Sequence, residues 1–298
     1  MDRFEAMNVL LTAIDAGSLS EAGRRLGMPL ATVSRKVSEL ERHLGTQLVA
    51  RGARKLALTD AGARYVAACR RILEDLGEAE RAASGEYVAP TGELVISATL
   101  VLGRAHVLPV VCDFLRAYPN IRVRLQQSDR VVNLVEDHVD VAVRLGTPAE
   151  GALVAVPVGS ARRLLCASRD YLALHGAPAS PADLAHHDCI VFESLGSTGV
   201  WDFRNGWLDY DGPVRSRLVV NTAEASLEAA LRGLGIAHLL SYQAAEALAS
   251  GSLKQVLEPL SPPALPINLI YAARKPLPLK IRAFLDFAAP RLRKRLAA

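Results

Sequence analysis

Little in this chain marks a secreted, membrane-spanning or metal-dependent protein. Its four cysteines, Cys69, Cys112, Cys166 and Cys189, lie far apart and form no C-x-x-C pair. That spacing argues against a zinc ribbon or a redox dithiol and fits reduced, mostly buried thiols. No charged-then-apolar signal opens the chain, because Asp2, Arg3 and Glu5 flank Phe4. No apolar run approaches the roughly 18–20 residues a membrane helix needs. The expectation is a soluble, cytoplasmic protein with no membrane partner. Neither a G-x-S-x-G elbow nor a phosphate-binding loop occurs. "HHDC" (His186–Cys189) offers adjacent residues that do not converge on one ion, and it reads as a turn entering a strand. "GLGIAH" (Gly233–His238) lacks the third glycine of a dinucleotide fingerprint and follows a helix instead of a strand. These absences leave no catalytic residue, metal or cofactor, so the chain reads as something other than an enzyme.

What is present is an ordinary globular composition: 298 residues, 50% hydrophobic and 22% charged. That is enough for two domains and a small module. The net charge of +4 is modest but unevenly placed. Ser20–Arg71 holds eleven basic residues against four acidic ones, whereas from Ile72 onward 23 basic residues face 24 acidic ones. A small cationic N-terminal module is the electrostatic footprint of a phosphate-backbone binder.

Phe4, Met7, Leu11 and Ile14 recur at helical spacing and predict an amphipathic first helix that stops at Gly17. Ser18 or Ser20 can cap a second helix, with Ala22 and Leu26 inward and Gly27 as its stop. Pro29 suits the first turn of a third helix running to about His43. Val33, Val37, Leu40 and Leu44 form its inner face, and Thr32, Arg35, Lys36 and Glu39 the outer one. This is a helix-turn-helix pattern, in which the later helix enters the DNA major groove. The candidates for duplex contact are Ser18, Ser20, Pro29, Leu30, Thr32, Val33, Ser34, Arg35 and Lys36. Leu30 and Thr32 suit thymine methyls, and Arg35 suits guanine or phosphate. "LVARGARKLALT" then reads as a two-stranded ribbon carrying Arg51, Arg54 and Lys55, a wing that touches backbone or minor groove. From Thr59, a plausible cap, a long helix places Tyr65, Cys69, Ile72, Leu76, Ala79 and Ala83 on a heptad seam. Pairing with a second chain is the favoured use of that seam, and packing on the chain's own core the alternative.

Residues 1–62 resemble the winged helix-turn-helix of the LysR-type transcriptional regulators. The resemblance is carried by "AGSLSEAGRRLGMPLATVSRKVSELERHLGTQLVAR" and "RKLALTDAG". Two departures stand out: Gly52-Ala53 replaces wing hydroxyls, and Val49 stands where the family has Phe. The resemblance implies promoter DNA as partner, a homodimer or homotetramer, contact with RNA polymerase, and a small-molecule effector.

After the hinge-like "EYVAPTGEL", strands and helices alternate, which predicts an α/β domain with a largely parallel sheet. Arg130–Asp137 reads as one of its helices and the tail "RLRKR" (Arg291–Arg295) as a solvated, frayed end. The family likeness continues here and implies two Rossmann-like subdomains resembling a periplasmic binding protein. The expected division is 1–62 for DNA binding, 59–88 for the linker helix and 92–298 for effector binding. Within the last, subdomain I takes about 92–161 and 267–298 and subdomain II about 162–266. Ligands in such sheets settle beyond the carboxyl ends of strands. That rule selects Ala98, Thr99, Leu100, Gln127, Ser128, Arg144, Leu145, Gly146, Asn221 and Thr222. Arg144 suits a carboxylate ligand, or else a local acid such as Asp140. The alternative function is a solute-binding protein or enzyme on the same scaffold, which lacks the expected signal sequence or catalytic constellation.

Overall fold

A computed structural model of the chain describes residues 2–50, 56–83, 89–130, 132–147, 153–192, 214–258, 263–273 and 277–297, with side chains at 74, 75, 78, 79 and 81–83 left aside. Two compact units divide at residue 89.

The first unit holds α1 (Arg3–Ala16), α2 (Leu19–Leu26), α3 (Leu30–Leu44) and α4 (Asp60–Ala83). Each start has a local cause. The Asp2 carboxylate accepts the Phe4 N–H at 2.9 Å, and the Ser18 hydroxyl accepts the Glu21 N–H at 3.1 Å. The Thr59 hydroxyl accepts the Gly62 N–H at 2.9 Å. Gly27 ends α2 at φ 64°, a left-handed geometry that costs glycine nothing. The turn from α2 to α3 therefore follows from its sequence. Gly62 answers a different need: a Cβ there would lie 1.9 Å from the Leu48 carbonyl oxygen, so α4 can pass this close only without a side chain.

The inner stripe of α1 is Ala6, Val9, Leu10 and Ala13, one position away from the predicted Phe4–Met7–Leu11–Ile14. Phe4 is 49% exposed, while Leu11 and Ile14 pack at the margin of the core. Leu44 is likewise exposed, since Gly45 turns the chain away just after it. Val33, Val37 and Leu40 are buried as their spacing requires. An isolated antiparallel bridge joins Val49 to Leu58 at the root of the predicted wing. Arg51, Arg54 and Lys55 lie outside the described residues.

The second unit contains two five-stranded sheets. The first has the order β2-β1-β3-β10-β4: Ile121–Gln127, Gly92–Ala98, Val141–Leu145, Leu265–Ala272 and Leu153–Ala161. The second has the order β7-β6-β8-β5-β9: Arg215–Val220, Asp188–Phe192, Ile236–Leu240, Arg163–Ser168 and Leu253–Val256. Both are mixed, with most of the strands in each running one way, in keeping with the α/β reading. In each, four strands run in one direction and a single strand, β10 in the first and β5 in the second, runs against them.

α5 (Leu100–Leu102), a π-helical segment (Gly103–Val107) and α6 (Leu108–Ala117) follow β1. α6 packs with α10 (Leu279–Leu296) over the first sheet, where Phe114 meets Phe284 edge to face at 5.2 Å. α7 (Arg169–His175) covers one face of the second sheet, and α8 (Ala223–Leu231) with α9 (Ser241–Ala249) the other.

Two further readings are corrected. Residues 134–138 form turns, with Asn133 Oδ1 accepting the N–H groups of Val135 and Glu136. That local bonding stops the segment from becoming the helix predicted for Arg130–Asp137. The tail is also not frayed: Leu292 is fully buried, and Arg293 and Arg295 donate to the carbonyls of Pro157 and Ala105 at 3.1 and 3.0 Å.

Candidate functional site

The first candidate surface is the outer face of α3. Leu30 is 51% exposed, Ser34 and Arg35 are exposed, and Thr32 is half-buried at the first turn. Arg35 pairs with Glu39 one turn on at 2.8 Å, an exposed contact worth little that a phosphate or base edge can replace. Pro29 precedes the helix in extended backbone, which leaves the first N–H groups of α3 pointing outward from a cationic end. Ser20 is exposed in the first turn of α2, whereas Ser18 spends its hydroxyl on the cap.

Two predicted contacts do not belong to this face. Val33 is fully buried in the module's core. Lys36 lies mostly under the surface, only 15% exposed, and is paired with Glu5 of α1, so it docks α3 instead of reaching outward. One residue the sequence reading passed over is Glu41. Its carboxylate accepts the backbone N–H groups of Leu48 at 2.8 Å and Val49 at 3.1 Å, which fixes the wing's root to the end of α3. The Leu-Glu pair before Leu-Gly was its only sequence signal.

On α4 the predicted seam divides. Cys69 is fully buried and Tyr65 packs on the module's own core. Burial raises the Cys69 thiol pKa. Cys69 is thus corrected from a chain-pairing position to a core one, because nothing of it reaches the surface. Ile72 is 44% exposed and Leu76 half-buried. The side chains of Ala79 and Ala83 lie outside the described residues.

The second candidate lies in the other unit, where α5 and the π-helical segment face α8 and α9. They enclose a cavity of about 440 Å³, lined by Val101, Arg104 and Ala105 on one side and by Glu224, Leu227, Tyr242, Gln243 and Glu246 on the other. π-helical turns of this kind recur at functional sites. Tyr242 stands edge-on to His106 at 6.0 Å, and its burial, first among the causes, pushes the phenol up to about 12, with the neighbouring Thr99 hydroxyl opposing the shift.

Behind this cavity sit several of the residues taken from the strand ends. Arg144 donates through Nη1 to the Ser128 carbonyl at 2.7 Å and through Nη2 to the Ser97 hydroxyl at 2.8 Å. It does not pair with Asp140, which accepts the Val95 N–H at 2.9 Å. Asp129 accepts the Leu100 N–H at 3.0 Å through Oδ1. Burial, reinforced by the Glu224 carboxylate, holds Asp129 above the usual carboxylate range, against the opposing pull of that bond and of Arg144.

Thr222 caps α8 by accepting the Ala225 N–H at 3.3 Å, and Asn221 beside it is exposed. Gln127 packs against Gly103. Ala98 is fully buried, so it backs the cavity without lining it. Leu145 packs on the core of the first sheet, and Gly146 is held by its N–H to Pro266 and its carbonyl to Asn268. Asp129, Glu224, Tyr242 and Glu246 were missed by sequence reasoning, because no local spacing joins segments about a hundred residues apart. Among the described residues no group of three or more His, Cys, Asp and Glu side chains could hold a metal ion, and no helix is long and apolar enough to cross a membrane.

Two family models match the chain. One, described as the LysR substrate binding domain, spans residues 89–293, and one for the bacterial regulatory helix-turn-helix protein of the lysR family spans residues 4–63. The chain is 33% identical over 292 residues to the HTH-type transcriptional regulator CrgA of Neisseria meningitidis, covering 97% of this chain and 96% of that protein. It is 31% identical to the HTH-type transcriptional activator TtdR of Escherichia coli, covering 97% and 94%. The solved structure of CrgA superposes with a TM-score of 0.60 at 31% identity, covering 97% of this chain and 98% of that one. Full-length AphB, a virulence activator of Vibrio cholerae, superposes with a TM-score of 0.57 at 28% identity, covering 96% and 98%.

Proposed function

The chain belongs to the LysR family of bacterial helix-turn-helix transcriptional regulators, and from that premise we propose that it binds promoter DNA sequence-specifically and answers to a small molecule held in its C-terminal unit. In this reading residues 1–62 bind DNA, 59–88 link and pair chains, and 92–298 sense the effector. Subdomain I takes about 92–161 and 267–298, and subdomain II about 162–266.

The observation that carries the DNA reading is the exposed first two turns of α3, where Leu30, Ser34 and Arg35 stand clear of a core that buries Val33 and Val37. Arg35, Thr32 and Leu30 read bases, while Ser20, Pro29 and the wing cations Arg51, Arg54 and Lys55 meet the backbone. Ile72 and Leu76 pair α4 with a second copy, which gives a two-fold protein for a two-fold site. A dimer, or a tetramer of two dimers, acts in the cytoplasm and engages RNA polymerase. No chemical step is required of it, so it is not an enzyme.

The effector acts by differential affinity. Closure of α5 and the π-helical segment against α8 and α9 is favoured by whatever fills the space between them, and the two conformations hold the DNA-binding units differently. A coupling of about 1–3 kcal/mol makes a usable switch. Thr99 and Arg144 position the effector, with Leu100, Gln127, Ser128, Asn221 and Thr222 around them.

Capture of genomic fragments by the purified full-length chain, followed by anisotropy on a recovered fragment, tests this. Retention of a discrete set of sequences is the expected result. Indifference to sequence at every salt concentration overturns it.

A further inference from the structure

Beside the 440 Å³ cavity, which Glu224 lines, lie polar atoms that the protein itself leaves unanswered. Asp129 Oδ2, Glu224 Oε2 and Arg144 Nε are each buried with no hydrogen-bond partner among the described residues. They come from the end of β2, the first turn of α8 and the end of β3, yet the three charges interact electrostatically at Asp129. Orphaned buried polar atoms are rare in native proteins, and a bound ligand is one of the few things that explain a converging set.

The sign of the charge decides what that ligand carries. A carboxylate is recognised through the paired fork of a guanidinium. On Arg144 the two terminal nitrogens are already spent, on the Ser128 carbonyl and the Ser97 hydroxyl, and Nε alone remains. Three carboxylates, Asp129, Glu224 and Glu246, face two guanidinium groups, Arg144 and the exposed Arg104 at the rim. Among the described residues, no ion pair engages Glu224 or Glu246. Between these groups the wall is aliphatic, made by Val101, Leu227 and Leu231.

We propose that the effector is a small aliphatic amine, its ammonium group held between the Asp129 and Glu224 carboxylates and its carbon chain laid against Val101, Leu227 and Leu231. This replaces the carboxylate suggested by Arg144 in sequence, and it rests on the reading of this cavity as the effector site. Arg144 then serves as a fixed strut between β1 and β3 that keeps Asp129 ionised once the amine arrives. An ammonium group offers three donors, enough for both orphaned carboxylate oxygens with one to spare.

Three probes of similar chain length separate the classes: 1,5-diaminopentane, lysine and glutarate, each added at millimolar concentration to the full-length chain. The readouts are thermal unfolding and titration calorimetry. The two amines are expected to raise the unfolding temperature and release measurable heat, and glutarate to do neither. In Glu224→Gln the amine affinity falls by about tenfold or more, since a charge-assisted bond is exchanged for a neutral one. Asp129→Asn repeats the loss from the opposite wall.

Stabilisation by glutarate alone, by none of the three, or by amines with equal strength in both variants overturns the assignment. Duplex binding is measured on the same samples. If glutarate alone shifts it, the regulator stands and the amine falls. If the amines bind while no duplex is ever retained, the regulator falls and the amine site stands.

Discussion

The Glu41 carboxylate, in the last turn of α3, accepts the backbone N–H of Leu48 at 2.8 Å. The end of α3 and the strand bridge at Val49 are therefore one piece, joined by a charge-assisted bond. Glu41→Ala leaves the Leu48 and Val49 N–H groups without that acceptor at a cost of about 1–3 kcal/mol. The expected outcome is a lower unfolding midpoint and weaker binding to every duplex, with the preference among sequences kept. A variant that binds duplex like the parent shows that the wing is placed by something else.

Gly62 and Leu48 set a second constraint. Gly62→Ala puts a methyl group where the Leu48 carbonyl oxygen sits, so α4 must move off the core. A loss of about 1–3 kcal/mol or more follows from such overpacking, read as a drop in the denaturation midpoint of the full chain. Ala61, whose neighbourhood is open enough to leave it half-buried, serves as the control: Ala61→Ser leaves the midpoint nearly unchanged.

Base reading and backbone contact separate by mutation. Arg35→Ala is expected to cost about 1–3 kcal/mol on the specific site and to flatten discrimination between sites, whereas Arg54→Ala weakens specific and non-specific duplexes alike. Competition assays with a selected and a scrambled duplex measure both. Equal affinity in parent and both variants places the contact surface elsewhere.

Asp129 gives a pH dependence of definite sign. Burial and the nearby Glu224 raise its folded-state pKa, so ionising it opposes folding as the pH climbs through that value. Asn at this position keeps an acceptor for the Leu100 N–H and removes the charge. Asp129→Asn is therefore more stable than the parent at neutral pH without ligand. The gap closes on acidification through the carboxylate range, where the parent is protonated both folded and unfolded. Thermal midpoints across pH measure it, and a gap that widens in acid contradicts the assignment.

Much of the N-terminal unit was legible because its signals are local. Ser18, Gly27 and Thr59 act within a turn of where they stand, and Val37 and Leu40 obey the helical period. A period of 3.6 tolerates two neighbouring stripes, which favours Phe4 over Ala6; Val33 is on the inner face its spacing gives it and so cannot also be a duplex contact, and the stripe through Cys69 starts against the chain's own core. Small alanines hid the true inner stripe of α1, since they bury little area and weigh little in a pattern. The cavity was illegible for a different reason. Glu224 and Tyr242 look like ordinary helix-surface residues until α8 and α9 are set against the segment after β1. The tail misled because Arg293 and Arg295 spend their charge on carbonyls of Pro157 and Ala105, contacts that span more than a hundred residues.

Salt dependence of duplex binding tests the central claim most directly. The full-length chain is titrated against a duplex recovered from its own genome, from about 50 to 200 mM salt. The affinity is expected to fall on the order of a hundredfold or more, as counterions released from phosphates demand. The selected sequence stays preferred over a scrambled one throughout. A chain that retains no genomic fragment even at the lowest salt contradicts the account.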